Sequence, residues 1–112
     1  MGVLPDTELE RIKRYCADKV PAKFQDQIQI AVETRGRSVS ILECRPPWRG
    51  EPGDEWTRRR IAQLRYNPKQ SNWTLHWADS NDKWHLFDLV EPGTVSEMID
   101  ELRIDRTSIF WG

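Results

Sequence analysis

The sequence has little of what marks a membrane or exported protein. No stretch approaches the roughly 18 or more apolar residues that a membrane-spanning helix needs. The N-terminal residues 1–6 lack both the basic start and the apolar run of a signal peptide. We therefore expect a cytoplasmic protein without a membrane partner.

Cysteine is also scarce, with only Cys16 and Cys44 in 112 residues. They allow one disulfide at most, and without a secretory signal two reduced thiols are the better interpretation. A nucleophilic cysteine would need a nearby base and a lowered pKa. Cys16 falls on the apolar face of a predicted helix, and the sequence around Cys44 supplies no base. We therefore assign no catalytic residue.

The sequence has no glycine-rich phosphate loop and no established zinc motif. Gly50 and Gly53 are flanked by prolines and acids and do not precede a helix. The nearby acids Glu51, Asp54 and Glu55 lie on a segment predicted to be irregular. We expect no cofactor, and a non-catalytic protein agrees with the sequence better than an enzyme does.

The net charge is close to zero, at −1, which argues against binding nucleic acid through overall charge. The distribution of charge is nevertheless uneven. Residues 35–66 carry eight arginines and four acidic residues, whereas residues 79–105 carry eight acidic and two basic residues. These opposed patches either pair with each other in the fold or face different partners, and pairing requires fewer assumptions.

What the sequence does contain is tryptophan, with six in 112 residues. Each large aromatic side chain buries about 150–250 Å², so a few of them can replace many aliphatic residues in a core. The length suits a single domain, residues 1–112, and is too short for two. We expect Trp73, Trp77, Trp84 and Trp111 to help close the core, because a half-buried sheet surface is their usual place.

Two amphipathic helices are predicted, one near each end of the chain. The first starts at Asp6 or Thr7, where Thr7 and Glu10 fit a capping box, and it ends before Pro21. Its apolar face comprises Leu9, Ile12, Cys16 and Val20, spaced three or four apart. The second starts with the capping box Thr94–Glu97. Its apolar face comprises Val95, Met98, Ile99 and Leu102.

Between the helices the hydrophobic period changes to two, which is typical of strands with one buried face. Five strands are predicted, at residues 28–33, 39–45, 59–66, 73–77 and 84–88. Sequential strands usually neighbour each other. We therefore predict an α+β domain with an N-terminal helix, a five-stranded antiparallel meander sheet and a short C-terminal helix. The apolar tail, residues 109–112, is expected to pack with the helices on one sheet face.

Several of these segments together resemble a family of small bacterial proteins known as a domain of unknown function. The motifs that carry the resemblance are Arg45-Pro46-Pro47-Trp48-Arg49-Gly50, Glu55-Trp56-Thr57, the segment from Trp73 to Asp88 with Trp84-His85, and the closing Ile109-Phe110-Trp111-Gly112. The resemblance covers nearly the whole chain. It implies a small cytoplasmic bacterial protein and supplies no activity, cofactor or catalytic residue. Similar proteins favour Asn-Gly in the last hairpin turn, where this chain has Asn81-Asp82, which leaves the turn type and strand register open.

The strongest candidate for a functional site is the segment from Pro46 to Arg60, where tryptophans and arginines are interleaved. The candidate binding residues are Trp48, Arg49, Trp56, Arg58, Arg59 and Arg60. Indole rings stack on bases and guanidinium groups neutralise phosphates, a combination that fits single-stranded nucleic acid. Tryptophan and arginine are also preferred anchors of protein interfaces. We therefore predict a binding or interaction module whose partner is a protein or single-stranded nucleic acid; the alternative is that Trp48 and Trp56 simply pack on the sheet.

A second hypothesis, a small enzyme or metal-binding protein, rests on the only two histidines, His76 and His85, on the arms of the last predicted hairpin. With a two- or four-residue loop centred on Ser80-Asn81 they face each other about 5 Å apart, close enough to share a divalent metal with a nearby carboxylate. The candidate carboxylates are Asp79 and Asp88. With Asn81-Asp82 as the turn, His76 faces Phe87 instead. A loop with a bulge places the histidines on opposite faces.

Overall fold

The computed structural model describes residues 4–47 and 55–112, which form two helices and five strands. The helices are α1 (Asp6–Lys19) and α2 (Val95–Ile104), with a short 3₁₀ turn, Ala22–Phe24, after α1. The strands are β1 (Gln29–Arg35), β2 (Ser38–Arg45), β3 (Thr57–Asn67), β4 (Asn72–Ala78) and β5 (Trp84–Leu86). They form one antiparallel sheet in the order β1-β2-β3-β4-β5, so the predicted α+β meander is confirmed. Within those residues no helix has both the length and the apolar character needed to cross a membrane.

The two helices start in different ways. Pro5 occupies the N-cap position of α1 and no side chain caps the helix, so the predicted Thr7–Glu10 capping box is wrong. Two acidic residues in the first turn of α1 interact favourably with the helix dipole instead. In α2 the predicted capping box is confirmed. The N–H of Glu97 donates to Thr94 Oγ1 at 3.2 Å, and the N–H of Thr94 donates to Glu97 Oε1 at 3.2 Å.

Both helices and the C-terminal tail pack on one face of the sheet, which we call the covered face. The buried core between these layers consists of Ile12, Tyr15, Cys16, Val39, Ile41, Ile61, Ala62, Leu64, Trp73, Leu75, Phe87, Val95, Met98, Ile99, Leu102 and Phe110. Trp73 is completely buried, and its indole N–H donates to Glu8 of α1 at 2.9 Å. The hydrophobic core therefore lies entirely on one side of the sheet.

One carboxylate holds the C-terminal tail on this face. Asp105 follows α2 with a φ of 46°, and its side chain accepts hydrogen bonds from the backbone N–H groups of Phe110, Trp111 and Gly112 at 3.0, 2.9 and 3.2 Å. Phe110 packs edge-to-face on Phe87, with ring centroids 5.0 Å apart. The predicted packing of the apolar tail is confirmed.

A β-bulge in β3 decides which side chains reach the other face of the sheet, which we call the open face. Two neighbouring residues of β2 pair with Ala62 and Arg60, which are not neighbours, so Ile61 is the extra residue of the bulge. Ile61 and Ala62 are both buried in the core. On the N-terminal side of the bulge, the alternation of side chains is therefore out of phase with the rest of β3. As a result Arg60 and Arg58 point to the open face.

The last hairpin has an odd-numbered loop. Ala78 pairs with Trp84, which leaves five residues, 79–83, between the strands. Asp79 organises this loop, since its Oδ1 accepts hydrogen bonds from two backbone N–H groups within the loop at 2.8 and 3.0 Å. The two- and four-residue loops considered from the sequence are therefore wrong. β5 also ends at Leu86, two residues earlier than predicted.

Candidate binding groove on the open face

The open face of the sheet carries a concave groove of about 570 Å³. The strand register brings side chains from β1, β2, β3 and the β4–β5 hairpin to this face. The lining residues are Glu33, Arg35, Ser38, Ser40, Leu42, Arg58, Arg60, Gln63, Asp82 and Trp84. We call this feature the arginine groove. Two residues of the predicted binding set, Arg58 and Arg60, line it.

Arg58 and Arg60 enter the groove from the bulged part of β3. The Arg58 guanidinium pairs with the Glu33 carboxylate on β1, and this hydrogen bond raises the pKa of Arg58. Arg60 donates to the backbone carbonyl of Asp82 in the β4–β5 loop. The Arg58–Glu33 pair is solvent-exposed, and exposed pairs of this kind stabilise a fold by only about 0.2–1 kcal/mol. These contacts orient the two guanidinium groups within the groove.

Hydrogen bonds between side chains fix the polar floor of the groove. Gln63 Nε2 donates to Ser40 Oγ at 3.0 Å, and Arg65 Nε donates to Gln63 Oε1 at 2.7 Å. Arg35 and Arg65 both pair with Ser38, from the strands on either side of it. Neighbouring strands lie about 4.8 Å apart, which places the backbones of these two arginines roughly 10 Å from each other at one end of the groove.

The charge of the groove region is positive. Its arginines are Arg35, Arg58, Arg60 and Arg65, and its acids are Glu33 and Asp82. Among the described residues, 4–47 and 55–112, no ion pair joins the arginine-rich stretch 35–66 to the acidic stretch 79–105. The predicted pairing of the two charged regions is therefore wrong in the described part of the chain. The open face keeps its excess of positive charge.

Trp84 forms one wall of the groove. Trp73, Trp77 and Trp111 lie in the core or pack against it, and each of them contacts another aromatic ring. Trp84 instead pairs with Ala78 on the open face, and no aromatic ring of the described residues contacts it. The prediction that Trp84 helps to close the core is therefore wrong, because the five-residue loop shifts β5 by one position and turns this side chain to the opposite face.

Two other predicted binding residues lie away from the groove. Arg59 points to the covered side, where its guanidinium is 3.6 Å from the Glu43 carboxylate and 3.4 Å from a backbone carbonyl of the C-terminal tail. Trp56 lies immediately before β3 and is 37% exposed. Trp48 and Arg49 lie outside the described residues. The structure thus separates the three consecutive arginines of β3 between the two faces.

Sequence reasoning missed Arg35, Arg65 and Trp84 as site residues. A signal for the bulge was present, since the consecutive apolar residues Ile61-Ala62 break the period of two. Once the bulge is included, alternation places Arg58 and Arg60, before it, and Arg65, after it, on the same face of the sheet. No comparable signal existed for Trp84, because its orientation depends on the length of the preceding loop.

His76 and His85 lie on opposite faces of the sheet and cannot share a metal. His76 pairs with Leu86 on the open face, and His85 pairs with Trp77 on the covered face. His85 Nε2 lies 2.6 Å from the Asp79 carboxylate, and this hydrogen bond is the main cause that lowers the pKa of Asp79 to about 2. In the part of the chain that the structure describes, no three His, Cys, Asp or Glu side chains converge as metal ligands. The alternative hypothesis of a metal site shared by the two histidines therefore does not hold in this register.

His76 is nearly buried, at 7% exposure, although it belongs to the open face. Its Nε2 lies 2.9 Å from Thr74 Oγ1. Burial, with a smaller contribution from the positive charge of Arg65, lowers the pKa of His76 to about 4. The imidazole is therefore neutral at pH 7 and adds no charge to the groove.

The two cysteines are free and lie on opposite sides of the sheet. Cys16 is buried in the core, and this burial raises its pKa to about 12, so the thiol stays protonated. Cys44 pairs with Arg58 on the open face. The sheet lies between the two residues, so they cannot form a disulfide with each other in this fold.

The structure defines a small α+β domain in which two helices and the C-terminal tail cover one face of a meander sheet. The other face carries the arginine groove. The family model described as Domain of unknown function (DUF3024) matches residues 3–112, and the chain belongs to this family. The resemblance seen in the sequence motifs is thereby confirmed. No curated protein and no solved structure matches the chain. The family description assigns no activity.

Proposed function

We propose that this domain is a binding module that holds an anionic partner in the arginine groove. The observation that carries the proposal is the convergence of Arg35, Arg58 and Arg60 on one concave surface, with Arg65 beside them. Guanidinium groups present planar sets of donors that suit carboxylate and phosphate groups. The module predicted from the Pro46 to Arg60 segment is thus retained, with its site moved onto the open sheet face.

The cost of placing these arginines together supports a role in binding. Arg58 and Arg60 lie two residues apart on the same face of β3, so their positive charges repel each other. None of these arginines belongs to the core on the covered face, and the buried side chains that the open face contributes are Leu42, Gln63 and His76. An anion in the groove would relieve the repulsion between the guanidinium groups. Structural packing alone gives no reason to concentrate positive charge on this face.

The histidine hypothesis has less support. This alternative, a small enzyme or metal-binding protein, would use His76 and His85 together, and the sheet separates them. His85 stacks on Trp77 with ring centroids 4.7 Å apart and bonds to Asp79, which accounts for its position without a ligand. The geometry therefore favours a binding module over that alternative.

The proposed module acts in the cytoplasm. Two free cysteines that cannot reach each other fit a reducing compartment, where thiols stay reduced. No ion pair among the described residues joins the acidic stretch 79–105 to the groove arginines. The groove is therefore a basic surface on a protein that is nearly neutral overall. Local rather than overall charge therefore selects the partner in this proposal.

The test measures fluorescence anisotropy with two labelled anions, an abasic deoxyribose-phosphate oligomer and polyglutamate of equal charge. We expect the wild-type protein to bind at least one of them, with a logarithmic salt slope of about −2 if three phosphates are neutralised. The double substitution Arg35→Ala/Arg60→Ala should weaken binding about tenfold or more. Arg14→Ala, on the exposed side of α1, serves as the matched control and should leave affinity unchanged. Absence of binding, or equal loss in the control, would contradict the proposal.

A further inference from the structure

We propose that the anionic partner is single-stranded nucleic acid, with a base stacked on Trp84 and the neighbouring phosphates held by the groove arginines. This inference rests on the proposed function, because it names the partner of the same groove. Three properties of the site support it: the spacing of its cations, the partly exposed indole of Trp84 and the chemistry of its floor.

The cations are spread along the groove rather than gathered around one point. Arg65 and Arg60 are five residues apart on β3, which corresponds to roughly 15 Å of strand. Arg35 lies beside the Arg65 end, and Arg58 lies beyond Arg60 at the other end. One phosphate or carboxylate cannot contact both ends at once. The arrangement fits a chain of regularly spaced anions, such as a nucleic acid backbone.

The tryptophan lies next to one of these cations. Arg60 donates to the carbonyl of Asp82, two residues before Trp84, so the guanidinium and the indole are neighbours on the groove wall. No aromatic ring among residues 4–47 and 55–112 stacks on Trp84. A base stacked on this indole would place its own phosphate within reach of Arg60. Stacking requires an unpaired base, which favours a single strand over a duplex.

The floor of the groove suits an acidic peptide less well than it suits single-stranded nucleic acid. Peptide interfaces usually depend on apolar anchors that enter well-packed pockets. Here the apolar lining consists of Leu42, which is itself only 6% exposed, and the indole of Trp84. The remaining floor is hydroxyl and amide, from Ser38, Ser40 and Gln63. An acidic peptide would gain charge pairing and little apolar burial.

The floor also indicates limited sequence preference. The amide of Gln63 is engaged on both sides, since it donates to Ser40 and accepts from Arg65. Reading a base edge would require breaking those bonds. Stacking on an indole tolerates every base, because each has a π-face. We therefore expect oligomers of different base composition to bind with similar affinity.

The experiment compares four fluorescein-labelled probes by anisotropy: oligothymidylate, the abasic oligomer of equal length, a duplex and polyglutamate. Oligothymidylate should bind most tightly. Trp84→Ala should weaken oligothymidylate binding at least fivefold and leave the affinity for the abasic oligomer unchanged. Leu86→Ala is the matched control, since Leu86 is an exposed apolar residue on the same strand and the same face. Trp84→Phe should retain most of the affinity, and circular dichroism melting confirms that each variant folds.

The outcomes separate this inference from the proposed function. If the abasic oligomer or polyglutamate binds as tightly as oligothymidylate, and the Arg35→Ala/Arg60→Ala protein loses that binding, the groove binds anions but the nucleic acid inference fails. Equal weakening of all probes by Trp84→Ala also overturns stacking. If the wild-type protein binds no probe, both proposals fail. Preference for oligothymidylate that disappears in Trp84→Ala and persists in Leu86→Ala supports the inference.

Discussion

On the covered face of the sheet Trp73 is completely buried and its indole N–H donates to Glu8, whereas on the open face Trp84 stands at the wall of a groove beside arginines. The arginines divide in the same way. Arg59 is held against Glu43 and the tail on the covered side, and Arg60 faces the open groove. The same residue types therefore close the core on one face and form a candidate binding site on the other.

The difference arises from two local irregularities rather than from composition. The bulge at Ile61 lets two consecutive apolar residues face the core and turns Arg60 and Arg58 outward. The five-residue loop 79–83 shifts β5 so that Trp84 leaves the covered face. Bulges of this kind often lie next to functional sites, where they re-aim side chains.

The largest expected effect contrasts the two tryptophans. Trp73→Ala removes a fully buried aromatic side chain and should lower the free energy of unfolding by about 3–5 kcal/mol. Trp84→Ala should lower it by about 1–2 kcal/mol, because this half-buried side chain lies outside the core. Urea unfolding followed by far-UV circular dichroism measures both. Equal losses would show that Trp84 supports the fold as much as Trp73 does, which would contradict the division between a core face and a groove face.

A second test uses the one histidine that is buried on the open face. The unfolded chain binds a proton at His76 near pH 6.5, whereas the folded protein binds it only near pH 4. Between these values the unfolded state holds more protons, so the free energy of unfolding should fall as the pH falls from about 6.5 to about 4, by on the order of 3 kcal/mol.

His76→Gln removes this titration and should flatten that part of the stability–pH curve. His85→Gln, on the covered face, is the control and should leave the decline in place. Urea titrations at several pH values between 4 and 7 provide the measurement. A decline that survives in His76→Gln would assign the effect to another group and contradict the burial argument.

The smallest expected effect concerns the acids opposite the arginines. Glu33→Gln removes the partner of Arg58 in the groove and should tighten anion binding by up to about fivefold, with a stability change below about 1 kcal/mol. Glu43→Gln removes an acid that contacts Arg59 on the covered side, away from the groove. It should give no gain in affinity. A gain of the same size in both variants would indicate overall charge rather than the groove.

Sequence reasoning recovered the architecture because periodicity and turn residues carry it. The helices, the order of five strands and the packing of the tail followed from patterns of apolar residues and, for α2 alone, from a capping box. The functional face did not follow, because it depends on register. The extra residue at Ile61 places Arg60 on the open face, and the extra residue in the loop 79–83 does the same for Trp84. Without these two irregularities, a period of two assigns both side chains to the covered face.

The most direct test of the central claim is an ¹⁵N–¹H NMR titration of the tryptophan indole signals with oligothymidylate. Trp84 lines the groove, whereas the indole N–H groups of Trp73 and Trp111 are bonded to Glu8 and to Tyr15 on the covered side. We predict that the Trp84 signal shifts with saturation and that the Trp73 and Trp111 signals stay in place. A shift of Trp111 or Trp73 while Trp84 remains unchanged would contradict the assignment of binding to the open face.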